Sequence, residues 1–175
     1  MAVLAVASAI YFTTRPGDEP SIKPDPVVRL WNYEMEDLNH IAIELPRLDM
    51  REAFVKHEDQ QWYFDYPSGP RADTERWGGG NIKLLTGPFM EKSVEKDATE
   101  ERLVEFGFAL PSMKITLTTE DEEITNIELG DKNADGSAYY IRLAESNNVY
   151  TIAYDWYDYL EDIVLDPPYP PDEEE

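Results

Sequence analysis

Residues 103–130 read LVEFGFALPSMKITLTTEDEEITNIELG, and this stretch decides the class of fold. It holds the end of a helix, a turn at Gly107, a proline at Pro111, and two strands joined by an acidic turn. Met113, Ile115 and Leu117 alternate with Lys114, Thr116 and Thr118, giving one apolar and one polar face at the period of a strand. Ile124, Ile127 and Leu129 supply the returning strand, with Thr125 and Asn126 interrupting the alternation. Gly130 ends that run and opens the next loop.

Working outward, the flanks add strands and two helices. Upstream, Ile41–Leu45 closed by Pro46, residues 53–56, and residues 61–66 closed by Pro67 and Gly69 read as an antiparallel meander. Arg71, Ala72 and Asp73 open a helical stretch to Leu85 that breaks at Gly78, Gly79 and Gly80, three glycines costing roughly 3 kcal/mol in a helix interior. Ile82, Leu84 and Leu85 are its inward positions, and residues 91–98 are polar and read as a loop. Thr99 is an N-cap ahead of Glu100 and Glu101, Leu103, Val104 and Phe106 form the buried face, and Gly107 is the stop. Downstream, residues 138–143 and 149–152 are paired strands around a turn at Ser146, Asn147 and Asn148. Residues 154–164 form a final helix with Trp156, Tyr157, Leu160, Ile163 and Val164 as contact positions. The expected fold is α+β: an antiparallel sheet or sheets with helices on one side, preceded by an N-terminal membrane-anchor helix.

The organisation is fourfold: an anchor at 1–14, a Pro-rich linker at 15–26, an α+β domain at 27–164, and an acidic Pro-rich tail at 165–175 that has no core-forming power. Residues 1–14, MAVLAVASAIYFTT, are apolar and uncharged. As a helix they would run about 21 Å, against ~30 Å of hydrocarbon. A signal peptide cut after Ala7, Ser8 and Ala9, a retained anchor, and a buried core element all fit the apolar run, and the retained anchor is the reading carried forward.

The charge balance narrows the partners. The 175 residues carry 37 acidic and 15 basic side chains, a formal net charge of −22. Phosphate backbones and anionic lipid surfaces are repelled, so nucleic-acid binding is excluded as a role. With no cysteine, thiolate chemistry, disulfides and Cys-based zinc sites are excluded as well.

The chain resembles the bacterial membrane-anchored family of domain of unknown function 4340. The residues that carry the likeness are Trp62, Tyr63, Phe64 and Pro67, then Ala72 and Asp73, then Phe106-Gly107-Phe108-Ala109-Leu110-Pro111, Leu129-Gly130, Tyr139-Tyr140 and Val149-Tyr150. The likeness covers about residues 41–160. The glycine triplet at 78–80 and the acidic tail depart from the family pattern. The resemblance implies an N-terminal anchor, an α+β domain outside the cytoplasm, and neighbours in membrane assemblies. It implies no catalytic residues and no cofactor.

Several constellations invite chemistry. Asp131, Asn133 and Asp135, with Gly136, match the first half of a calcium loop, but position twelve is Arg142 where a bidentate Glu is needed. A polar hairpin loop explains the same residues. His40 and His57 are the only histidines, at strand ends, and read as surface residues. Ser68, Ser112 and Ser137 have no nucleophile context, and the glycine triplet has no Lys-Ser or Lys-Thr after it for phosphate binding. Residues 120–123 read as a solvated acidic turn. Aromatics crowd residues 62–66 and 150–159, either as core or as a partner surface, and Trp156, Tyr157 and Tyr169 are the candidate partner contacts.

The functional expectation is a non-enzymatic accessory or scaffold subunit of a bacterial membrane complex. It would be single-pass, in contact with integral membrane subunits and with lipid through residues 1–14, its acidic domain extracytoplasmic. Two alternatives stay open. A solute-binding module of a transport system would need a deep aromatic-lined pocket. A carboxylate-based hydrolase would need two acids converging in a cleft.

Overall fold

The structure is a computed structural model and describes residues 28–73, 76 and 85–171. The expected anchor, the linker and the glycine triplet lie outside the described residues. Eight strands form one antiparallel sheet: β1 Leu38–Leu45, β2 Met50–Lys56, β3 Trp62–Phe64, β4 Lys92–Glu95, β5 Met113–Thr119, β6 Ile124–Lys132, β7 Ala138–Leu143 and β8 Val149–Ala153. Across the sheet the order is β3-β2-β1-β5-β6-β7-β8-β4. The upstream meander and the later strands are therefore one sheet, joined where β1 pairs β5 with Ile41 opposite Leu117 and Ile43 opposite Ile115.

The inner face is built by the alternation read in residues 113–119. Met113, Ile115 and Leu117 are buried, and cross-strand neighbours extend the layer in both directions: Phe64, Phe54 and Ile41 on one side, Ile127, Leu129, Ile141 and Ile152 on the other. Helix Tyr154–Leu165 lies over this layer through Trp156, Tyr157, Leu160, Ile163 and Val164. Trp31 completes the roof. Its ring meets Trp156 edge-on at 6.4 Å, and its indole N–H donates to the Leu85 carbonyl at 2.7 Å.

A shorter helix, Glu100–Glu105, is designated α1, and Tyr154–Leu165 is α2. The Thr99 side chain accepts from the Arg102 amide, as an N-cap should. At the other end the Gly107 amide donates to Val104 and the Phe108 amide to Leu103, with Gly107 at φ +88°. This is the left-handed closing turn that a glycine permits. Val104 is exposed rather than part of the buried face, because the following Phe106 and Phe108 do the packing. They join Ala98, Val149 and Tyr140 in a second cluster.

That cluster corrects the expectation of helices on one side. Tyr140 and Val149 flank Ile141 and Tyr150 in the pleat and so face away from the α2 layer. The α1 turn covers one end of the outer face while α2 covers the inner face. Elsewhere the outer face is polar, as an antiparallel sheet allows. A row of alternating charge crosses five strands: Arg51, Glu44, Lys114, Glu128 and Arg142 occupy successive register positions. Within it Glu128 accepts from Arg142 at 2.6 Å and lies 3.7 Å from Lys114.

Three further readings change. Residues 92–95 are a strand, not loop. The tail is not inert: Pro168 is buried, its carbonyl accepts from the Asp73 amide at 2.8 Å, and Tyr169 stacks on Phe64 at 4.3 Å. Arg71 forms an isolated bridge with Tyr63 instead of opening a helix.

Candidate functional site

The calcium-loop residues are spread over separate local bonds. Asp131 reaches out to Arg47 at 2.6 Å. Asn133 accepts from the Ala138 amide and donates to Ser137. Asp135 accepts from the hydroxyl and the amide of Ser137, and these two bonds hold its carboxyl below the usual range. The oxygens a cation would gather thus serve a tight hairpin between β6 and β7. Among the described residues, no group of three or more His, Asp or Glu side chains could hold a metal.

The partner-contact residues divide. Trp156 and Tyr157 are core, 4% and 5% exposed, because α2 turns them onto the sheet; they are corrected here from contacts to packing. Tyr157 stacks on Tyr139 at 3.9 Å and donates to Glu161 at 3.0 Å. Burial first, and Glu161 second, push its phenol well above the ordinary range. Tyr169 keeps an exposed edge although its face rests on Phe64.

The aromatics that α2 leaves outside are different ones. Tyr159, on the opposite flank from Leu160, is 48% exposed, and Phe89 across from it is 58% exposed. Between them lies a cleft of about 190 Å³ walled by Pro88, Ile152, Asp155 and the rim of Trp156. The Gly87-Pro88 turn positions Phe89, since a Cβ at Gly87 would sit 2.2 Å from the Trp31 carbonyl oxygen. Arg29 lies over the other side of the Phe89 ring at 4.1 Å. The sequence signal that could have found this cleft is a large aromatic directly after a Gly-Pro turn, where nothing in the local pattern buries it.

A second cleft, about 400 Å³, is lined by Val28, Met90, Glu91, Lys92, Ser93, Lys96 and Tyr150. A third, about 290 Å³, is acidic, with Asp37, Glu120, Asp121 and Glu123 around Tyr33. Two of those acids have structural duties. Asp37 accepts from the Glu34 amide, and Glu120 pairs with the buried Lys56 ammonium at 3.2 Å. The two histidines share one region of the outer face. His40 meets Asp65 at 3.0 Å, and His57 stacks on Tyr63, whose hydroxyl donates to Asp59.

Residues 82–162 match the family model described as Domain of unknown function (DUF4340). This stretch belongs to DUF4340. No curated protein and no solved structure matches the chain. The DUF4340 stretch contains β4 to β8, α1 and most of α2, together with every residue that lines the aromatic cleft. Two of the short motifs that carried the resemblance meet in space here. The turn after α1 crosses β6 at Gly130, where a Cβ would lie 2.0 Å from the Phe106 carbonyl oxygen. The Asp131 amide donates to that same oxygen at 2.7 Å. Arg47 ties the crossing down through the Leu110 carbonyl and Asp131, and the buried Ser112 hydroxyl donates to the Gly130 carbonyl at 2.7 Å. Phe106-Gly107 and Leu129-Gly130 in this DUF4340 segment are thus a packing joint.

Among the described residues, no helix is long and apolar enough to cross a membrane.

Proposed function

We propose that the protein is a non-enzymatic accessory or scaffold subunit of a bacterial membrane complex, held by residues 1–14 with its acidic domain on the extracytoplasmic side. The observation that carries this reading is the aromatic cleft. Phe89 and Tyr159 stand exposed on either side of an apolar notch beside α2. Rigid aromatics at the rim of a small apolar pocket are what protein interfaces concentrate at their centres. At about 190 Å³ the notch is smaller than the ~300 Å³ at which small-molecule sites begin. It fits one inserted side chain better than a solute. The acidic cleft offers the hydrolase alternative less, since Asp37 and Glu120 are already bonded within the fold.

The test is copurification of the full chain after mild detergent extraction. A membrane subunit at stoichiometric level is expected with the wild type and is lost with Phe89→Ala combined with Tyr159→Ala. Both residues are about half exposed, so the double variant should melt within about 3 °C of the wild type. A clean monomer from the wild type, or undiminished capture by the double variant, overturns the reading.

A further inference from the structure

Beside the aromatic notch, the solvent-facing flank of α2 carries a pattern of charge. We propose that the notch receives one large apolar side chain from a basic helix of the partner, with a Lys or Arg on each side of that chain facing Asp155 and Asp162. The inference rests on the aromatic cleft being the partner surface, as argued above, and names the chemistry that fits it.

Three observations support it. First, Asp155, Tyr159 and Asp162 stand at i, i+4 and i+7 on α2, a spacing that sets them on one flank of a helix. All three are exposed, while Trp156, Tyr157, Leu160, Ile163 and Val164 make the buried face. Asp155 and Tyr159 both line the notch, so its apolar opening has a carboxylate at the lip. Second, these acids have no partner within the fold. Asp166, one turn further on, is paired with Arg76 at 2.7 Å, and Glu161 accepts from the Tyr157 hydroxyl at 3.0 Å. Among the described residues, no ion pair engages Asp155, Asp158 or Asp162. The cations that lie on rings here, Arg29 over Phe89 at 4.1 Å and Lys132 over Tyr154 at 5.2 Å, form no salt bridge with them. Third, the last turn of α2 has no basic residue, and Asp162 lies in it. A carboxylate at the negative end of a helix is disfavoured until a cation comes beside it.

Seven residues of α-helix rise about 10.5 Å, which separates the two acids along α2. A partner helix with Lys or Arg, a large apolar residue, and Lys or Arg at i, i+4 and i+7 repeats that separation. One inserted side chain then sets both cations opposite the acids, and the notch of about 190 Å³ has room for that one chain. The net charge of −22 draws a basic segment towards the molecule, and the notch fixes where it stops.

The probe is a capped, alanine-based helical peptide with Lys, Phe and Lys at i, i+4 and i+7, titrated into the full chain in mild detergent at physiological salt. Calorimetry and amide chemical shifts are the readouts. The peptide is expected to bind with shifts centred on residues 88–89 and 152–162. Replacing its Phe by Ala should weaken binding about tenfold, and replacing both Lys by Glu should abolish it. Asp155→Asn with Asp162→Asn should also weaken binding about tenfold. The two changes act oppositely on the helix dipole, so the variant should keep the wild-type melting temperature. Glu58→Gln with Glu122→Gln, the same loss of charge at two exposed turns, should leave binding within about twofold. The proposal falls if the peptide does not bind, if its Phe is dispensable, if the shifts map elsewhere, or if the two charge variants weaken binding alike. If Phe89→Ala with Tyr159→Ala loses the membrane subunit while the Asp155 and Asp162 variant binds peptide as the wild type does, the accessory-subunit reading stands and the basic partner alone is excluded. A clean monomer on copurification beside intact, aspartate-dependent peptide binding would sink that earlier reading and leave the basic-helix site.

Discussion

The joint between Gly107 and Gly130 makes a graded prediction, because three glycines separate two physical causes. At Gly136, φ is +77° and a Cβ would meet nothing within 4 Å, so alanine there adds only the cost of a left-handed backbone, about 1 kcal/mol. At Gly130 no positive φ is involved, but the Cβ would stand 2.0 Å from the Phe106 carbonyl oxygen. Backbone cannot rotate away as a side chain can. The turn must move off β6, at an overpacking cost of about 3 kcal/mol, and the bond from the Asp131 amide is lost for about 1 kcal/mol more. Gly107 combines both causes, with φ +88° and a Cβ 2.5 Å from the Asp131 carboxyl carbon. Urea unfolding followed by tryptophan fluorescence should rank the variants Gly136→Ala above Gly130→Ala above Gly107→Ala. At about 3 °C per kcal/mol, the melting temperature should drop about 3 °C for the first and 10 °C or more for the others. Gly130→Ala within about 1 kcal/mol of wild type, or Gly136→Ala as damaging as Gly130→Ala, would refute the reasoning.

Other expectations follow from single contacts. Glu128 and Arg142 are each 14% exposed in side chain and 2.6 Å apart, so a double-mutant cycle with Glu128→Gln and Arg142→Met should return a coupling of about 1–2 kcal/mol; a value near zero removes the charge row as a stabilising element. Tyr169→Ala removes the stack on Phe64 and should lower stability by about 1–2 kcal/mol, measured by chemical denaturation; an unchanged midpoint would mean the tail contributes nothing. Burial raises the Glu52 carboxyl, so its folded value lies above its unfolded one and its charged form opposes folding above that range. Glu52→Gln should therefore raise the melting temperature at neutral pH and lose the advantage as pH falls through the carboxylate range; a gain that is the same at both ends contradicts this. The Gln61 amide, and then the Tyr63 hydroxyl, hold Asp59 low, so its stabilising effect is present above the unfolded carboxylate value and lost as pH falls through the lower folded one. Asp59→Asn should flatten that part of the acid limb in a pH series of thermal melts, and an unaltered slope would exclude the assignment.

Much of this fold was legible wherever one face of an element is buried and the other wet. β7 occupies residues 138–143 as its alternation implied, α2 begins at Tyr154, and Thr99 and Gly107 cap α1. β4 was missed because an edge strand with half-exposed side chains needs no apolar pattern, and Lys92-Ser93-Val94-Glu95 offers only Val94. The sides of the helices were misjudged because Phe106 and Phe108, which choose the outer face, lie beyond the end of α1 and outside its periodicity. For the candidate site the difficulty was of another kind. Aromatic content marked residues 150–159 correctly as crowded, but which rings face out depends on the contact between α2 and residues 87–90, far away in sequence.

The strand order carries one more consequence. β3 and β4 are consecutive in the chain yet form opposite borders of the sheet, about 34 Å apart for eight strands. Neither portion of the polypeptide owns a finished sheet. The family match starts at residue 82 and so leaves out β1, the strand that β5 lies against along most of its length. Produced alone, the matched stretch would present β5 as a raw hydrophobic margin, ready to recruit any available strand. A stable recombinant domain should therefore begin no later than Val28, and relatives recognised over this stretch alone should be searched upstream for three short strands that sequence comparison passes over.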